Sequence, residues 1–209
     1  MTPDDVLTLV LATRNPHKVE EINAILSGLP VRILSFNDLP DLPDVVENGE
    51  TLEENAAKKA REVADATGRP ALADDTGLEV EFLGGAPGVY SARYAGEPPS
   101  YERNNRKLLK EMAGASEEDR RAAFRTVVAL AVPGGDARLV EGTMDGVILT
   151  EPVGEGGFGY DPLFRPDGAD KSFAQMTSDE KNAISHRGKA VRAARELVLE
   201  LLEAARGAA

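Results

Sequence analysis

The fold is decided by residues 7–36, which read LTLVLATRNPHKVEEINAILSGLPVRILSF. Residues 7–12 form a continuous apolar run, which is typical of a buried strand. Residues 16–27 repeat apolar side chains at helical spacing, with Asn15 placed as the N-cap. Residues 31–36 predict a second strand. Because the strands of a strand–helix–strand unit normally pair in parallel, this stretch predicts an α/β fold.

The remaining predicted elements continue this pattern through one domain. A second helix is predicted over residues 51–67, where Thr51 and Glu54 have the spacing of a capping box. Further helices are predicted over residues 101–112 and 185–205. In the second of these, an apolar stripe recurs at helical spacing and contains Val191, Ala194, Val198, Leu201, Leu202 and Ala205. The predicted strands are residues 71–73 with a continuation over 78–82, and an antiparallel hairpin of residues 124–132 and 137–149. No internal repeat or long linker interrupts them, so we predict a single domain over residues 1–209.

The composition limits the classes of function. The 209 residues include no cysteine, which excludes disulfides, zinc–thiolate sites and thiol catalysis. A net charge of −12 disfavours binding to long nucleic acid, although a local basic cluster would still accept a small anion. No apolar run approaches the roughly 20 residues of a membrane-spanning helix, and residues 1–5 lack the basic start of a signal peptide. We therefore expect a cytoplasmic protein without nucleic-acid or membrane partners.

The first polar segment follows the first strand and reads Thr13-Arg14-Asn15-Pro16-His17-Lys18. The start of a helix presents free backbone N–H groups and the positive end of the helix dipole. Hydroxyl, amide and basic side chains at that point complete a phosphate-binding cradle, although the segment lacks the glycines of a P-loop. The alternative is an ordinary capped helix whose basic residues face solvent.

The second polar segment ends the third strand and reads Asp74-Asp75-Thr76-Gly77. Adjacent carboxylates in a straight strand point to opposite faces. We therefore predict a turn at Thr76-Gly77 that breaks the alternation, so that both carboxylates serve one site. One aspartate would bind Mg²⁺ and the other would orient or deprotonate water. The alternative is a simple turn.

The third segment combines glycines with aromatic side chains and reads Gly156-Gly157-Phe158-Gly159-Tyr160-Asp161-Pro162. Glycines let the backbone approach a ligand closely, and the rings of Phe158 and Tyr160 are suited to stacking on a nucleobase. Asp161 would add a hydrogen bond or a charge. The alternative is a flexible hairpin loop.

The fourth segment reads Lys181-Asn182-Ala183-Ile184-Ser185-His186-Arg187-Gly188-Lys189. Ser185 is predicted to cap the last helix. Lys181, His186 and Arg187 would then gather at a second helix start, where an anion binds favourably. The alternative is that these basic residues pair with the acidic surface.

The four segments, taken together and in their order along the chain, resemble those of the inosine triphosphate pyrophosphatase family. The resemblance covers nearly the whole chain, from Leu9 to about Leu202. Beyond the four segments, the matching residues are Leu11-Ala12-Thr13, Glu53-Glu54-Asn55-Ala56, Lys59-Ala60, Leu83-Gly84-Gly85-Ala86-Pro87-Gly88 and Tyr90-Ser91-Ala92-Arg93. The resemblance implies an elongated α/β fold, with a long mixed β-sheet and flanking helices that form two lobes around a central substrate cleft. It also implies a homodimer and Mg²⁺-dependent hydrolysis of noncanonical purine nucleoside triphosphates (ITP, dITP and XTP) to the monophosphate and pyrophosphate. Such an enzyme cleanses the nucleotide pool.

The resemblance also assigns roles to individual residues. Asp75 would be the catalytic base and a metal ligand, with Asp74 beside it and Thr76 on the substrate. Glu47, in the acidic loop of residues 38–49, would be a second metal carboxylate. By the resemblance, Thr13, Asn15 and Lys18 would hold the triphosphate, and Lys59 would project toward phosphate. Arg14, Pro16 and His17 are further candidate substrate-binding residues, because they belong to the same segment. Those that would enclose the base and sugar are Phe158, Gly159, Tyr160, Asp161, Lys181, His186 and Arg187.

The chain departs from the family pattern at Arg14, where many members carry glycine or another small residue, so Arg14 would add charge near the phosphates. Thr76 stands where serine is frequent and retains the hydroxyl. Two alternative functions remain open. A Maf-like pyrophosphatase of other nucleotides is disfavoured by the Phe158 and His186 segments. A nucleotide-binding protein without turnover is disfavoured by Asp74 and Asp75, because two carboxylates facing a triphosphate repel it unless a metal offsets them.

Overall fold

The computed structural model describes residues 6–207; the acidic residues 1–5, on which the signal-peptide argument rests, and residues 208–209 lie outside the described part. The helices are α1 (Pro16–Leu26), α2 (Leu52–Thr67), α3 (Tyr101–Glu111), α4 (Ser178–Ile184) and α5 (His186–Gly207). The strands are β1 (Leu7–Leu11), β2 (Val31–Ser35), β3 (Ala71–Val80), β4 (Pro87–Gly88), β5 (Arg121–Ala131), β6 (Arg138–Ile148) and β7 (Phe164–Pro166). Within residues 6–207, no helix has the length and apolar character needed to cross a membrane.

The strands form a mixed sheet in the order β2-β1-β3-β5-β6-β7, with β4 paired to β3. β1 pairs in parallel with β2, with Leu7 opposite Val31, and in parallel with β3, with Val10 opposite Ala71. β6 and β7 pair in the antiparallel sense. The prediction of an α/β fold with a mixed sheet and flanking helices is therefore confirmed. β5 and β6 are neighbours in the sheet, as the predicted hairpin requires.

The predicted turn at Thr76-Gly77 is wrong, because β3 continues without interruption from Ala71 to Val80. Leu78 pairs with Gly88 in β4, and a Cβ atom added to Gly77 would lie 2.8 Å from the Gly88 carbonyl oxygen. Glycine is therefore required at position 77 by the close approach of another strand rather than by a turn. Asp74 and Asp75 consequently keep the alternating directions of a strand.

Two helix starts also differ from the prediction. The Thr51 hydroxyl caps α2 by accepting from the Glu54 amide at 3.1 Å, but the Glu54 carboxylate accepts from the Glu50 amide, so the reciprocal capping box is half formed. The short helix α4 was not predicted, and it begins with a complete capping box between Thr177 and Glu180. As a result, Lys181 lies within α4 rather than at the start of the last helix.

The chain forms two compact units. Among the described residues, the first contains residues 6–75, Val127–Glu141 and residues 188–207, and the second contains Thr76–Thr126 and Gly142–Arg187. β3, β5, β6 and α5 each continue from one unit into the other. The single domain over residues 1–209 and the central cleft stay predictions.

Each unit has its own hydrophobic core. The core of the first unit is built from β1, α1, β3, β5 and α5. It confirms the predicted apolar stripe of the last helix from Val191 to Leu202, whereas Ala205, at the end of the predicted stripe, is exposed. The core of the second unit is rich in aromatic side chains, which are Phe124, Tyr160, Phe164 and Phe173. Each unit therefore offers a packed frame on which polar side chains can be held.

Candidate active site

The turn between β1 and α1 is fixed by its own side chains. The Asn15 carboxamide accepts from the His17 amide at 3.1 Å, and the Thr13 hydroxyl accepts from the Asn15 amide at 3.2 Å. Pro16 occupies the first helical turn, where its missing N–H has no cost. The predicted cap is confirmed, and phosphate binding at this helix start stays a prediction.

Arg14 binds the acidic loop. Its Nε atom lies 2.5 Å from Asp44 Oδ1, and its Nη2 atom donates to the Leu42 carbonyl oxygen at 2.8 Å. The guanidinium also lies over the Phe36 ring, 5.0 Å from its centroid. Arg14 thus links the β1–α1 turn to the loop that carries Glu47. A contact between Arg14 and phosphate stays a prediction, and it would compete with these contacts.

Lys18 and Asp74 form an ion pair at the end of β3. The Lys18 Nζ atom lies 2.9 Å from Asp74 Oδ2, and the Asp74 side chain is almost completely buried. Helix α1 brings Lys18 to this position one turn after the Asn15 cap. A lysine of the predicted phosphate cradle and one of the predicted acidic residues are therefore in direct contact.

Lys59 organises the rest of the acidic cluster. Its Nζ atom donates to Glu47 Oε1 at 2.7 Å and to the Asp74 carbonyl oxygen at 2.7 Å, and lies 3.4 Å from Asp75 Oδ1. Lys59 itself is only 6% exposed. One buried ammonium therefore gathers two carboxylates from distant parts of the chain, and Glu47 of the acidic loop is brought to the same point as Asp75.

Burial and the charges of this cluster shift the pKa values of Lys59 and Asp75. Burial acts to lower the pKa of Lys59, but the negative charges of Asp75, Glu47 and Asp74 outweigh it, so the pKa of Lys59 is raised and the ammonium persists. Burial raises the pKa of Asp75, while Lys59 lowers it and Glu47 adds to the rise. A carboxylate with a raised pKa is a better proton acceptor at neutral pH than an ordinary aspartate.

The donor set of this cluster suits a hard divalent cation. Glu47 Oε1 and Asp75 Oδ1 both approach the same cationic atom, Lys59 Nζ, and carboxylate oxygens are the ligands that Mg²⁺ prefers. Among residues 6–207, there is no group of three or more histidine or acidic side chains arranged to hold a metal alone. Such a site would therefore take its remaining ligands from water and phosphate oxygens, as Mg²⁺ commonly does.

Asn55 is a site residue to which the sequence assigned no role. Its Nδ2 atom donates to Asp75 Oδ2 at 3.2 Å, and its Oδ1 atom accepts from the Gly49 amide at 2.8 Å. It is 1% exposed. Asn55 therefore fixes the orientation of Asp75 and anchors the end of the acidic loop. The signal that could have identified it is an asparagine on the buried face of α2, which is apolar apart from Asn55 and Lys59.

In the second unit, Thr76 lies in a hydroxyl–guanidinium chain. The Thr76 and Thr126 hydroxyl oxygens are 2.7 Å apart, and Arg187 Nη2 donates to Thr76 Oγ1 at 3.2 Å. Thr126 is fully buried in β5 and was missed by the sequence reasoning, because one threonine among apolar strand residues resembles ordinary core. The contacts bring together Thr76 and Arg187, two residues from different predicted segments.

Asp161 closes the glycine-rich segment on itself. Its Oδ2 atom accepts from the Phe158 amide at 2.8 Å and from Lys181 Nζ at 2.6 Å. Gly157 has φ = +68°, and an added Cβ would overlap the Asp161 carboxylate, so glycine is required there. The segment is thus a fixed turn rather than a flexible hairpin loop.

The aromatic side chains of this segment have different surroundings. Lys181 Nζ and Arg187 Cζ lie 4.7 Å and 5.3 Å from the Phe158 ring centroid. Tyr160 is buried in the core, and its hydroxyl donates to the Ser91 carbonyl oxygen at 2.9 Å. The Gly159 carbonyl oxygen accepts from Asn105 Nδ2 at 3.0 Å. Phe158 is therefore the better placed of the two rings to meet a base, and stacking by Tyr160 stays a prediction.

His186 lies against aromatic rings at the start of α5. Its ring stacks on Phe124 with centroids 4.4 Å apart and planes 12° apart, and the Phe173 centroid is 6.0 Å away. Lys181, His186 and Arg187 are all at least 96% buried, so pairing with an acidic surface does not explain them. Phe124 was not predicted as a site residue. The structure brings these basic groups together on an aromatic support.

The chain is similar to proteins of known family. A sequence profile of the Ham1 family matches residues 9–197. A dITP/XTP pyrophosphatase of Geobacter sulfurreducens is 55% identical over 183 residues, which cover 88% of this chain and 92% of that protein. A dITP/XTP pyrophosphatase of Streptomyces coelicolor is 49% identical over 196 residues, which cover 93% of this chain and 98% of that protein. 

Solved structures agree with the sequence comparison. The HAM1 protein of Coxiella burnetii matches with a TM-score of 0.85 and 39% identity, over 93% of this chain and all of that one. The Ham1 protein of Staphylococcus aureus matches with a TM-score of 0.81 and 38% identity, over 92% of this chain and 98% of its own. The family profile covers the acidic cluster around Lys59 and the basic residues Lys181, His186 and Arg187. The chain therefore belongs to the Ham1 family.

Proposed function

We propose that this protein is a nucleoside triphosphate pyrophosphatase that hydrolyses noncanonical purine nucleoside triphosphates, such as ITP, dITP and XTP, to the monophosphate and pyrophosphate. The observation that carries the proposal is the buried cluster in which Lys59 gathers Glu47 and Asp75 beside the Lys18–Asp74 pair. It places two lysines that could bind phosphate beside carboxylates that could hold a metal ion, all within the first unit. The relatives named dITP/XTP pyrophosphatase support the substrate class.

The triphosphate would bind at the acidic–lysine cluster and the adjoining α1 start. Thr13, Asn15 and Lys18 lie in or directly after the β1–α1 turn, where helix N–H groups and the dipole favour an anion. Lys59 supplies a cation that the surrounding carboxylates keep protonated. When phosphate binds, each lysine can shift part of its hydrogen bonding from carboxylate to phosphate oxygen, since an ammonium has three donors.

Asp75 and Glu47 would hold the metal, which we propose is Mg²⁺. When bound, Mg²⁺ would neutralise charge on the phosphate oxygens and favour displacement at phosphorus. Asp75, which is oriented by Asn55 and lies 3.4 Å from Lys59 Nζ, would accept the proton of the attacking water. The new bond joins the water oxygen to the α-phosphorus, the bond from the α-phosphorus to the bridging oxygen breaks, and pyrophosphate leaves with that oxygen.

The base would bind at the aromatic cluster of the second unit. Phe158 offers a ring for stacking, while Lys181 and Arg187 can only donate hydrogen bonds. Hypoxanthine and xanthine present a 6-keto acceptor, whereas adenine presents a 6-amino donor at that position. A pocket lined with donors therefore accepts the keto bases and leaves buried donors unpaired against adenine.

The two alternatives have weaker support. Membership of the Ham1 family gives no support to a Maf-like enzyme. A binding protein without turnover would not need a buried carboxylate held in place by both Asn55 and Lys59. We further propose that the protein is cytoplasmic and homodimeric and binds neither nucleic acid nor membranes; light scattering coupled to gel filtration tests the dimer.

A substrate panel tests the proposed function. ITP, XTP, dITP, GTP, ATP and TTP would be incubated with the protein and Mg²⁺, with separate detection of orthophosphate and pyrophosphate. Pyrophosphate and IMP in equal amounts, with ITP and XTP strongly preferred, support the proposal. Preference for TTP would instead indicate the Maf-like activity, and ITP binding without product would indicate a binding protein.

A further inference from the structure

The part of the acidic loop around Glu47 has little burial to hold it in place. Residues 43–49 have no regular secondary structure, and Val46 is 69% exposed. The Glu47 side chain itself is 33% exposed. A segment with so few buried contacts opens at low free-energy cost unless polar contacts restrain it. The position of the Glu47 carboxylate therefore depends on those contacts.

Lys58 supplies such contacts on both sides of Glu47. Its Nζ atom donates to the Val46 carbonyl oxygen at 2.8 Å and to Asn48 Oδ1 at 2.7 Å. An ammonium has three N–H donors, so both bonds form at once. The residue before Glu47 and the residue after it are thus held by the same atom.

An ordinary ion pair within the helix does not account for this arrangement. Lys58 also faces Glu62 one turn later, but their charged atoms are 3.8 Å apart, beyond hydrogen-bonding distance. Exposed pairs of this spacing contribute little. The short contacts of Lys58 are those with the acidic loop.

The neighbouring side chains of α2 complete the restraint. Lys59 binds the Glu47 carboxylate, and Asn55 accepts from the Gly49 amide. Of these three side chains, only Lys58 binds both residues that flank Glu47. Its contribution is therefore to the backbone position from which the Glu47 carboxylate reaches toward Asp75.

We infer that Lys58 is a positioning residue, which sets the divalent-metal affinity of the site by fixing Glu47. The inference rests on the proposed role of Glu47 in holding the metal. Lys58 is not among the residues proposed to contact the metal or the substrate. Groups that orient a metal ligand typically affect metal affinity by 10- to 100-fold when removed. Because Asn55 and Arg14 still restrain the loop, we expect the lower end of that range.

The test compares Lys58→Met with the wild-type protein by two measurements. Hydrogen exchange of the peptide covering residues 43–50, without metal or nucleotide, should be faster in the variant. Mn²⁺ binding in the presence of α,β-methylene ITP, followed by electron paramagnetic resonance, should weaken by about 10-fold. Lys58→Arg keeps several donors and should restore most of both properties.

Arg61→Met is the matched control, because it removes the same charge from an exposed position on the same helix. It should leave exchange and Mn²⁺ affinity close to wild type. A loss as large as that of Lys58→Met would show a general charge effect and overturn the inference.

The Glu47→Gln variant separates this inference from the proposed function. If Lys58 acts through Glu47, adding Lys58→Met to Glu47→Gln should cause no further loss of Mn²⁺ affinity. A full additional loss would overturn the inference. If Glu47→Gln weakens Mn²⁺ binding while Lys58→Met does not, only the role of Lys58 is wrong. If neither changes it, the proposed metal role of Glu47 is wrong as well.

Discussion

Asp75→Asn removes the proposed base while nearly preserving its shape. The Asn55 contact of 3.2 Å can persist, because one oxygen of the side chain remains as an acceptor. The proton acceptor is lost, which alone reduces the rate by about 10²–10⁴-fold. Loss of a metal-binding charge adds to this effect. We therefore expect kcat to fall by at least about 10²-fold when Mg²⁺ is saturating.

The same variant should remain stable, because two effects oppose each other. Burial raises the pKa of Asp75, so the folded protein binds a proton there more tightly than the unfolded chain. Ionised Asp75 therefore costs stability above its folded-state pKa, and a neutral amide removes that cost. Against this, Lys59 loses the strongest of the charges that stabilise its ammonium. We expect Tm to change by less than about 4 °C. For a chain of this size, that is a change of about 1–2 kcal/mol in the free energy of unfolding.

The assay for Asp75→Asn follows pyrophosphate release from ITP over a range of Mg²⁺ concentrations, with Tm from circular dichroism. Glu62→Gln is the control, because it neutralises an exposed carboxylate on α2 and should retain wild-type turnover. A folded Asp75→Asn protein with near-normal kcat would refute the assignment of the base. Asp74 would then be the next candidate, and Asp74→Asn would be measured in the same way.

Three further predictions concern the cations, the base and the metal. Lys59→Met leaves the buried Asp75 carboxylate without its ammonium, a loss of about 3–5 kcal/mol. Tm should therefore fall by roughly 6 °C or more and turnover should be lost, and an unchanged Tm would contradict the central role of Lys59. Phe124→Leu removes the ring that stacks on His186 and should raise KM for ITP by about 3- to 10-fold with little change in kcat. An effect on kcat alone would argue against a role of this ring in base binding. EDTA should abolish turnover and added Mg²⁺ should restore it; full activity in EDTA would exclude the metal-assisted mechanism.

The sequence predicted the fold well where the pattern is local. The apolar run of β1, the Asn15 cap and the apolar stripe of α5 each depend on residues close together in the chain, and all three are confirmed. The turn at Thr76-Gly77 was wrong because the reason for Gly77 is the close approach of Gly88, which no local pattern contains. Helix α4 has only seven residues, too few for a periodic pattern, although Thr177 and Glu180 show the spacing of a capping box.

The candidate site shows the same division between local and distant contacts. The segments that contain Lys18, Asp75 and His186 were identified because their residue types suit phosphates, metal ions and an anion at a helix start. The role of His186 near the base was implied only by the family resemblance. Asn55 and Thr126 were given no role, because their partners lie 20 and 50 residues away in the chain. Asn55 does lie in a stretch that matches the family, whereas Thr126 resembles ordinary strand core. Supporting residues of this kind become visible only when the strands and helices are placed together.

The position of bond cleavage tests the central claim most directly. ITP would be hydrolysed with Mg²⁺ in H₂¹⁸O, and the products would be analysed by mass spectrometry. We predict that one ¹⁸O atom appears in IMP and none in the pyrophosphate released with it, because water attacks the α-phosphorus. ¹⁸O in pyrophosphate, or IDP and orthophosphate as the first products, would contradict the proposed function and the role of Asp75 in it.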